Sequence, residues 1–187
     1  MASTIKFKFD PNQEHQISAI SSVIKLLDKL PKGHSEFKLG EDVVPNLLAE
    51  ESFDEELLLA NLNNIQRENG LSENSRLDAD DGILLDGISN ENWRYPVFTV
   101  EMETGTGKTY VYLRTIYELK KLYGFRKFII IVPSIAIYEG VLKSIEVMRE
   151  HFKALYDNEH LNVIDYDSAE ISKLRDLEMG NDLLYRG

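Results

Sequence analysis

The run Glu103-Thr104-Gly105-Thr106-Gly107-Lys108-Thr109 combines the residue types that hold phosphate. Glycines let the backbone turn so that successive N–H groups converge on an anion with no side chain in its path. Lys108 extends a positive charge towards the β- and γ-phosphates of a nucleoside triphosphate, and the Thr109 hydroxyl is a hard oxygen ligand suited to Mg²⁺. A helix opening at Lys108 adds its unpaired N–H groups and the positive end of its dipole to the same place. A lone Gly-x-Gly is common at turns, but the Gly-Lys-Thr ending is specific. One departure stands out: the full pattern starts with a glycine five residues before Gly107, and that position is Met102. The expected ligand is ATP with Mg²⁺, cradled by Thr104, Gly105, Thr106, Gly107, Lys108 and Thr109.

Such a loop works only between a strand and a helix, and the flanking patterns supply both. Tyr95 to Glu101 is β-rich (Val97, Phe98, Val100), and Lys108 to Tyr123 is helical in pattern, with Tyr112, Ile116, Leu119 and Tyr123 on one side and Gly124 past its end. Phe128 to Val132 is an unbroken apolar run, which predicts a strand buried on both faces of a parallel sheet. Pro133 closes it, Ile135 to about Leu155 is again helical, and Asn162 to Asp165 is a candidate third strand. The alternation predicts an α/β fold of the doubly wound kind.

Upstream, Asp10 and Pro11 predict a helix start, and Ile17, Ile20, Val23, Ile24, Leu27 and Leu30 give one apolar stripe before Pro31-Lys32-Gly33. Residues 32–94 have a weaker pattern. One helix stands out there, with Ser52 and Glu55 as a capping box, Leu58, Leu62 and Ile65 on one face, and Gly70 as its stop. The expected division is therefore 1–31 as an N-terminal helix, 32–94 as an acidic helical insertion and 95–187 as the phosphate-loop core.

The net charge of −11 argues against a polyanionic partner until its distribution is considered. Between Glu41 and Glu103 there are 16 acidic and 3 basic residues; the remainder has 16 acidic and 18 basic. The acidity belongs to one segment, and charge alone leaves nucleic-acid binding open. The chain has no cysteine, which excludes disulfides and thiolate metal sites, and it has no apolar run long enough to span a membrane. A cytoplasmic location is expected. Four scattered histidines (His15, His34, His151, His160) lack metal-ligand spacing. Tyr110, Tyr112 and Tyr117 are expected to serve core and surface packing and not base stacking, and Glu101 and Glu103 to form an exposed pair.

The stretch Glu101-Met-Glu-Thr-Gly-Thr-Gly-Lys-Thr-Tyr-Val-Tyr-Leu-Arg-Thr-Ile116 resembles the first helicase motif of the Res subunits of type III restriction–modification enzymes, a branch of superfamily 2 that tolerates a non-glycine residue at Met102. Gly124 to Val132 followed by Pro133-Ser134-Ile135-Ala136-Ile137-Tyr138-Glu139-Gly140-Val141 resembles the second strand and motif Ia of that family. Phe7 to Ile20 resembles its opening helix. The resemblance implies a partial RecA-like lobe with a parallel sheet, belonging to a DNA-dependent ATPase that drives an endonuclease and works with DNA and a modification methyltransferase subunit. Lys108 and Thr109 would be catalytic. Gln16, with Ala19 three residues on, would read adenine, although Gln13 competes for that role and either is also credible as a helix-surface or capping amide. Ser134 would touch a DNA phosphate, or simply cap its helix. The acidic box, second lobe and nuclease of the family are not recognisable, Asp165-Tyr166-Asp167 being read as a turn. The chain is therefore expected to be an N-terminal part that binds ATP better than it hydrolyses it. Another P-loop ATPase, a kinase or a non-catalytic nucleotide-binding module are the alternatives.

Overall fold

The computed structural model describes residues 8–30, 54–83, 92–125, 128–159 and 161–163. Its elements run α1 (Glu14–Leu26), α2 (Glu55–Glu68), β1 (Ala79–Ile83), β2 (Asn92–Pro96), α3 (Lys108–Tyr123) and α4 (Ile135–Leu155).

The phosphate-loop helix α3 is the hub. Its buried positions, Tyr110, Leu113 and Tyr117, return every three or four residues and so form one stripe. Against them α4 sets Met148 and Phe152, and Tyr156 follows just past its end. The rings stack: Tyr117 lies 5.0 Å from Phe152 and 4.8 Å from Tyr156, and Tyr110 lies 5.3 Å from Phe152. Such offset pairs add about 0.5–1.5 kcal/mol each beyond the area they bury. Tyr110 and Tyr117 are thus core and Tyr112 is partly buried beside them, so the buried stripe is not the predicted Tyr112–Ile116–Leu119 side, although Tyr123 on that side is buried. Val111 and Thr115 are buried too, so α3 is covered on more than one face.

The N-terminal segment is tied to this hub before α1 begins. Phe9 stacks on Tyr110 at 6.3 Å, and Arg114 donates to the backbone oxygen of Pro11. Asp10 accepts from Asn12 N in a local turn instead of capping the helix, which starts at Glu14 with Gln13 at its cap position. The ring of Pro11 has no N–H to offer and sits in that turn. Further along, Tyr123 donates to Ile24 O.

A second cluster joins α1 to α2. Leu58 is fully buried among Leu26 and Leu30, with Leu62, Ile65 and Leu77 around it. Asn61 donates to Leu26 O and Asp28 O, satisfying carbonyls that the end of α1 leaves orphaned. Asp54 caps α2 by accepting from Leu57 N, and Gly70 takes the left-handed conformation after its end. Ser52, the expected cap, lies outside the described residues.

The sheet differs from expectation. β1 and β2 form an antiparallel hairpin with Ala79 opposite Pro96 and Ile83 opposite Asn92, and β1 falls inside the segment read as an acidic helical insertion. Ala79-Asp80-Asp81-Gly82-Ile83 has almost no intrinsic strand preference, so it carried no signal. No parallel strand pair occurs among the described residues. Residues 97–103 and 128–132 run without a ladder. Ile130 and Val132 pack on the α3 and α4 clusters while Ile129 and Ile131 are 62% and 71% exposed. Among the described residues the run is therefore covered on one face, by α3 and α4. Ile164 to Asp167 lie outside the described residues.

No helix among the described residues is long and apolar enough to cross a membrane.

Two predictions test this packing. Phe152→Ala should lower the unfolding free energy by about 3–5 kcal/mol, whereas Ile129→Ser should change it by less than about 0.5 kcal/mol, both read from urea denaturation. His151, whose ring nitrogen pairs with the Tyr110 hydroxyl at 3.0 Å, has its pKa lowered from 6.5 by burial and then by the charge of Arg114. The unfolded chain then binds a proton that the folded chain does not, so this contribution is full above pH 6.5 and lost as pH falls below it. In urea midpoints measured across that range, His151→Gln should flatten the fall.

Candidate functional site

The loop between β2 and α3 is closed on itself by one carbonyl. Glu103 O accepts from Thr106 Oγ1 at 2.7 Å, from Lys108 Nζ at 2.8 Å and, more weakly, from Thr106 N at 3.4 Å. Gly105 and Gly107 stand at φ +84° and +90°, a region that L side chains rarely adopt. The turn therefore needs its glycines. Gly107 occupies the cap position of α3, and no acidic side chain lies in the first turn of that helix to compete with an anion.

The geometry fits a phosphate chain with its metal ion. A Cβ added at Gly105 would meet nothing within 4 Å, so the outer side of the loop is open. Lys108 is exposed with its ammonium reaching back over the loop, and Thr109 follows in the first turn of α3. A cation and a hydroxyl beside a helix N-terminus make a donor set for phosphate and a hard metal ion, with no sulfur or imidazole cluster nearby. Among the described residues no group of histidine and carboxylate side chains could hold a metal by itself.

Gln16 does not sit at the surface of α1. It is buried, and its Nε2 donates to Thr106 O at 3.0 Å. Its neighbour His15 directs Nε2 to the same oxygen at 3.1 Å. A carbonyl can only accept, so this ring nitrogen carries hydrogen. Gln13 is exposed at the cap of α1 and makes no side-chain capping bond; of the two glutamines, Gln16 is the one bonded to the loop. A Cβ at Gly107 would fall 2.4 Å from Gln16 Nε2, a second reason for glycine there.

His15 escaped the sequence reading because it was weighed only as a metal ligand. Its position beside Gln16, on a helix that approaches the phosphate loop, was the available signal.

Other expected residues fall as follows. Ser134 caps α4, its hydroxyl accepting from Ile137 N at 3.4 Å. Glu101 and Glu103 are exposed. They border a cleft of about 770 Å³ between α1, α2 and residues 97–106, to which Asp78 adds a third carboxylate. Three carboxylates in that lining disfavour a polyanion in the cleft.

The profile of the family described as "Type III restriction enzyme, res subunit" matches residues 9–178. The chain is 33% identical over 158 residues to the Res subunit of the type III restriction–modification enzyme EcoP15I of Escherichia coli, an alignment covering 82% of this chain and 14% of that protein. It is 33% identical over 156 residues to the EcoPI Res subunit of Escherichia phage P1, again over 82% and 14%. To the StyLTI Res subunit of Salmonella typhimurium it is 44% identical over 73 residues, 38% of this chain and 7% of that one. The chain thus spans about one seventh of the length of the first two relatives. The matching profile implies a RecA-like helicase fold. This chain belongs to the Res-subunit family of type III restriction enzymes.

Proposed function

We propose that this chain is the ATP-binding part of a restriction-enzyme motor, and that Gly105 to Thr109 hold the β- and γ-phosphates of ATP with Mg²⁺. The observation that carries this reading is the loop itself. Two left-handed glycines, a lysine whose ammonium lies over the loop and a threonine in the first helical turn converge at one helix N-terminus. Lys108 exchanges the Glu103 carbonyl for phosphate oxygen when nucleotide enters, a neutral acceptor giving way to a charged one. Thr109 offers its hydroxyl to the metal ion, and the ion neutralises charge on the phosphates. Gln16 reads adenine with the valences its amide does not spend on Thr106, namely Oε1 and the second Nε2 hydrogen.

The wider reading follows from kinship. ATP hydrolysis in the longer enzyme drives motion or communication on DNA before cleavage, with a methyltransferase subunit as partner and Ser134 near a DNA phosphate. The cap bond of Ser134 leaves its hydroxyl hydrogen free for such a contact. The parallel sheet belongs to the same reading. Its support is the alternation at 128–132, with Ile130 and Val132 inward and Ile129 and Ile131 outward, as in a strand with one face packed.

Thermal unfolding with and without Mg·ATP tests the loop. A ligand at one hundred times its Kd stabilises by about 2.7 kcal/mol, on the order of 5–10 °C for a domain of this size. Lys108→Ala should abolish most of that shift. An equal shift in both proteins would place the nucleotide elsewhere.

A further inference from the structure

Two side chains from neighbouring positions of α1 converge on one carbonyl of the phosphate loop. Gln16 Nε2 and His15 Nε2 reach Thr106 O at 3.0 and 3.1 Å, filling both of its lone pairs. The peptide that carries this oxygen is trans, as there is no cis bond among the described residues. In a trans peptide the C=O and the following N–H point in opposite directions. Holding Thr106 O against α1 therefore turns the Gly107 N–H away from α1. Flipping this peptide changes ψ of Thr106 and φ of Gly107, which stands at +90°, and glycine populates both signs of φ, so the peptide is otherwise free to turn over.

We propose that His15 and Gln16 act as a paired lock on the Thr106–Gly107 peptide, presenting the Gly107 N–H to the phosphate chain. His15 is thereby a positioning residue of the nucleotide site, acting on phosphate and not on the base. This rests on the ATP-binding reading above and gives α1 a task beyond adenine recognition. It also explains the fit at Gly107, where a Cβ would displace the Gln16 amide from its carbonyl. The lock is anchored from behind, since Phe9 on Tyr110 and Arg114 on Pro11 O hold the start of α1 against α3. Loop and lock are therefore both attached to the helix that carries Lys108 and Thr109.

Inorganic tripolyphosphate separates phosphate from base recognition, because it has the phosphates and no base. With Mg²⁺ present, binding of tripolyphosphate, ATP and GTP is measured by calorimetry for the whole chain. His15→Phe, which keeps a ring and loses the donor, should weaken all three by about tenfold, as expected for the loss of one aligned hydrogen bond. Its ATP-to-GTP preference should stay as in the unmodified chain. His15→Gln, whose Nε2 reaches about as far, should restore binding. Both variants should melt with the unmodified protein, because His15 is exposed. Tripolyphosphate binding within twofold of the unmodified chain in His15→Phe would overturn the lock while leaving the ATP reading intact. So would Gln16→Glu if it altered ATP-to-GTP preference and left tripolyphosphate untouched. An unmodified chain that binds none of the three ligands would overturn both.

Discussion

The aromatic stack between α3 and α4 is the constraint on which the remaining structure depends. Tyr110, Tyr117, Phe152 and Tyr156 fix the axis of α3, and the phosphate loop is the N-terminal continuation of that axis. Phe9 extends the stack at one end and brings the start of α1 with it. Because α1 is anchored there, His15 and Gln16 arrive beside Thr106, although 90 residues of sequence separate Gln16 from that carbonyl. Loss of the stack would leave the loop its glycines and its lysine but not their placement.

Arg114, Glu118 and Tyr156, at the edge of this core, are paired with one another and with the chain before α1. Tyr156 donates to Glu118 at 2.6 Å and accepts from Arg114, and burial together with that carboxylate pushes its ionisation far up, so the phenol stays a donor at any physiological pH. Arg114 in turn reaches Pro11 O. One chain of hydrogen bonds thus runs from the end of α4 through α3 to Pro11, three residues before α1. The order of these groups matters more than the strength of any one of them, since a buried unpaired partner costs about 1–3 kcal/mol.

The sequence was most legible where one mechanism dictates residue type. Gly105 and Gly107 could be read directly as turn residues, because positive φ admits few residue types. The helices α3 and α4 were legible from period, helped by the stop at Gly124 after α3 and by Pro133 just before α4. Legibility failed where tertiary contacts decide. Asp10 looked like a helix cap but closes a turn, since Phe9 and Pro11 are held by α3 and not by α1. β1 has a strand-poor composition and is defined by its partner strand alone. Phe128 to Val132 read as doubly buried, yet hydrophobicity cannot say how many layers cover a strand. His15 was invisible as a phosphate-loop residue because its partner is a backbone carbonyl, which leaves no mark in the side-chain pattern.

The central claim is that phosphate enters the glycine side of the loop, and backbone amide shifts of the isotopically labelled chain test it most directly. On titration with Mg·ATP, the amide resonances of Gly105, Gly107, Lys108 and Thr109 should move furthest, with the side-chain amide of Gln16 following them. Unmoved Gly105 and Gly107 resonances, with the largest changes instead around Asp78 and Asn74 in the acidic cleft, would contradict the account.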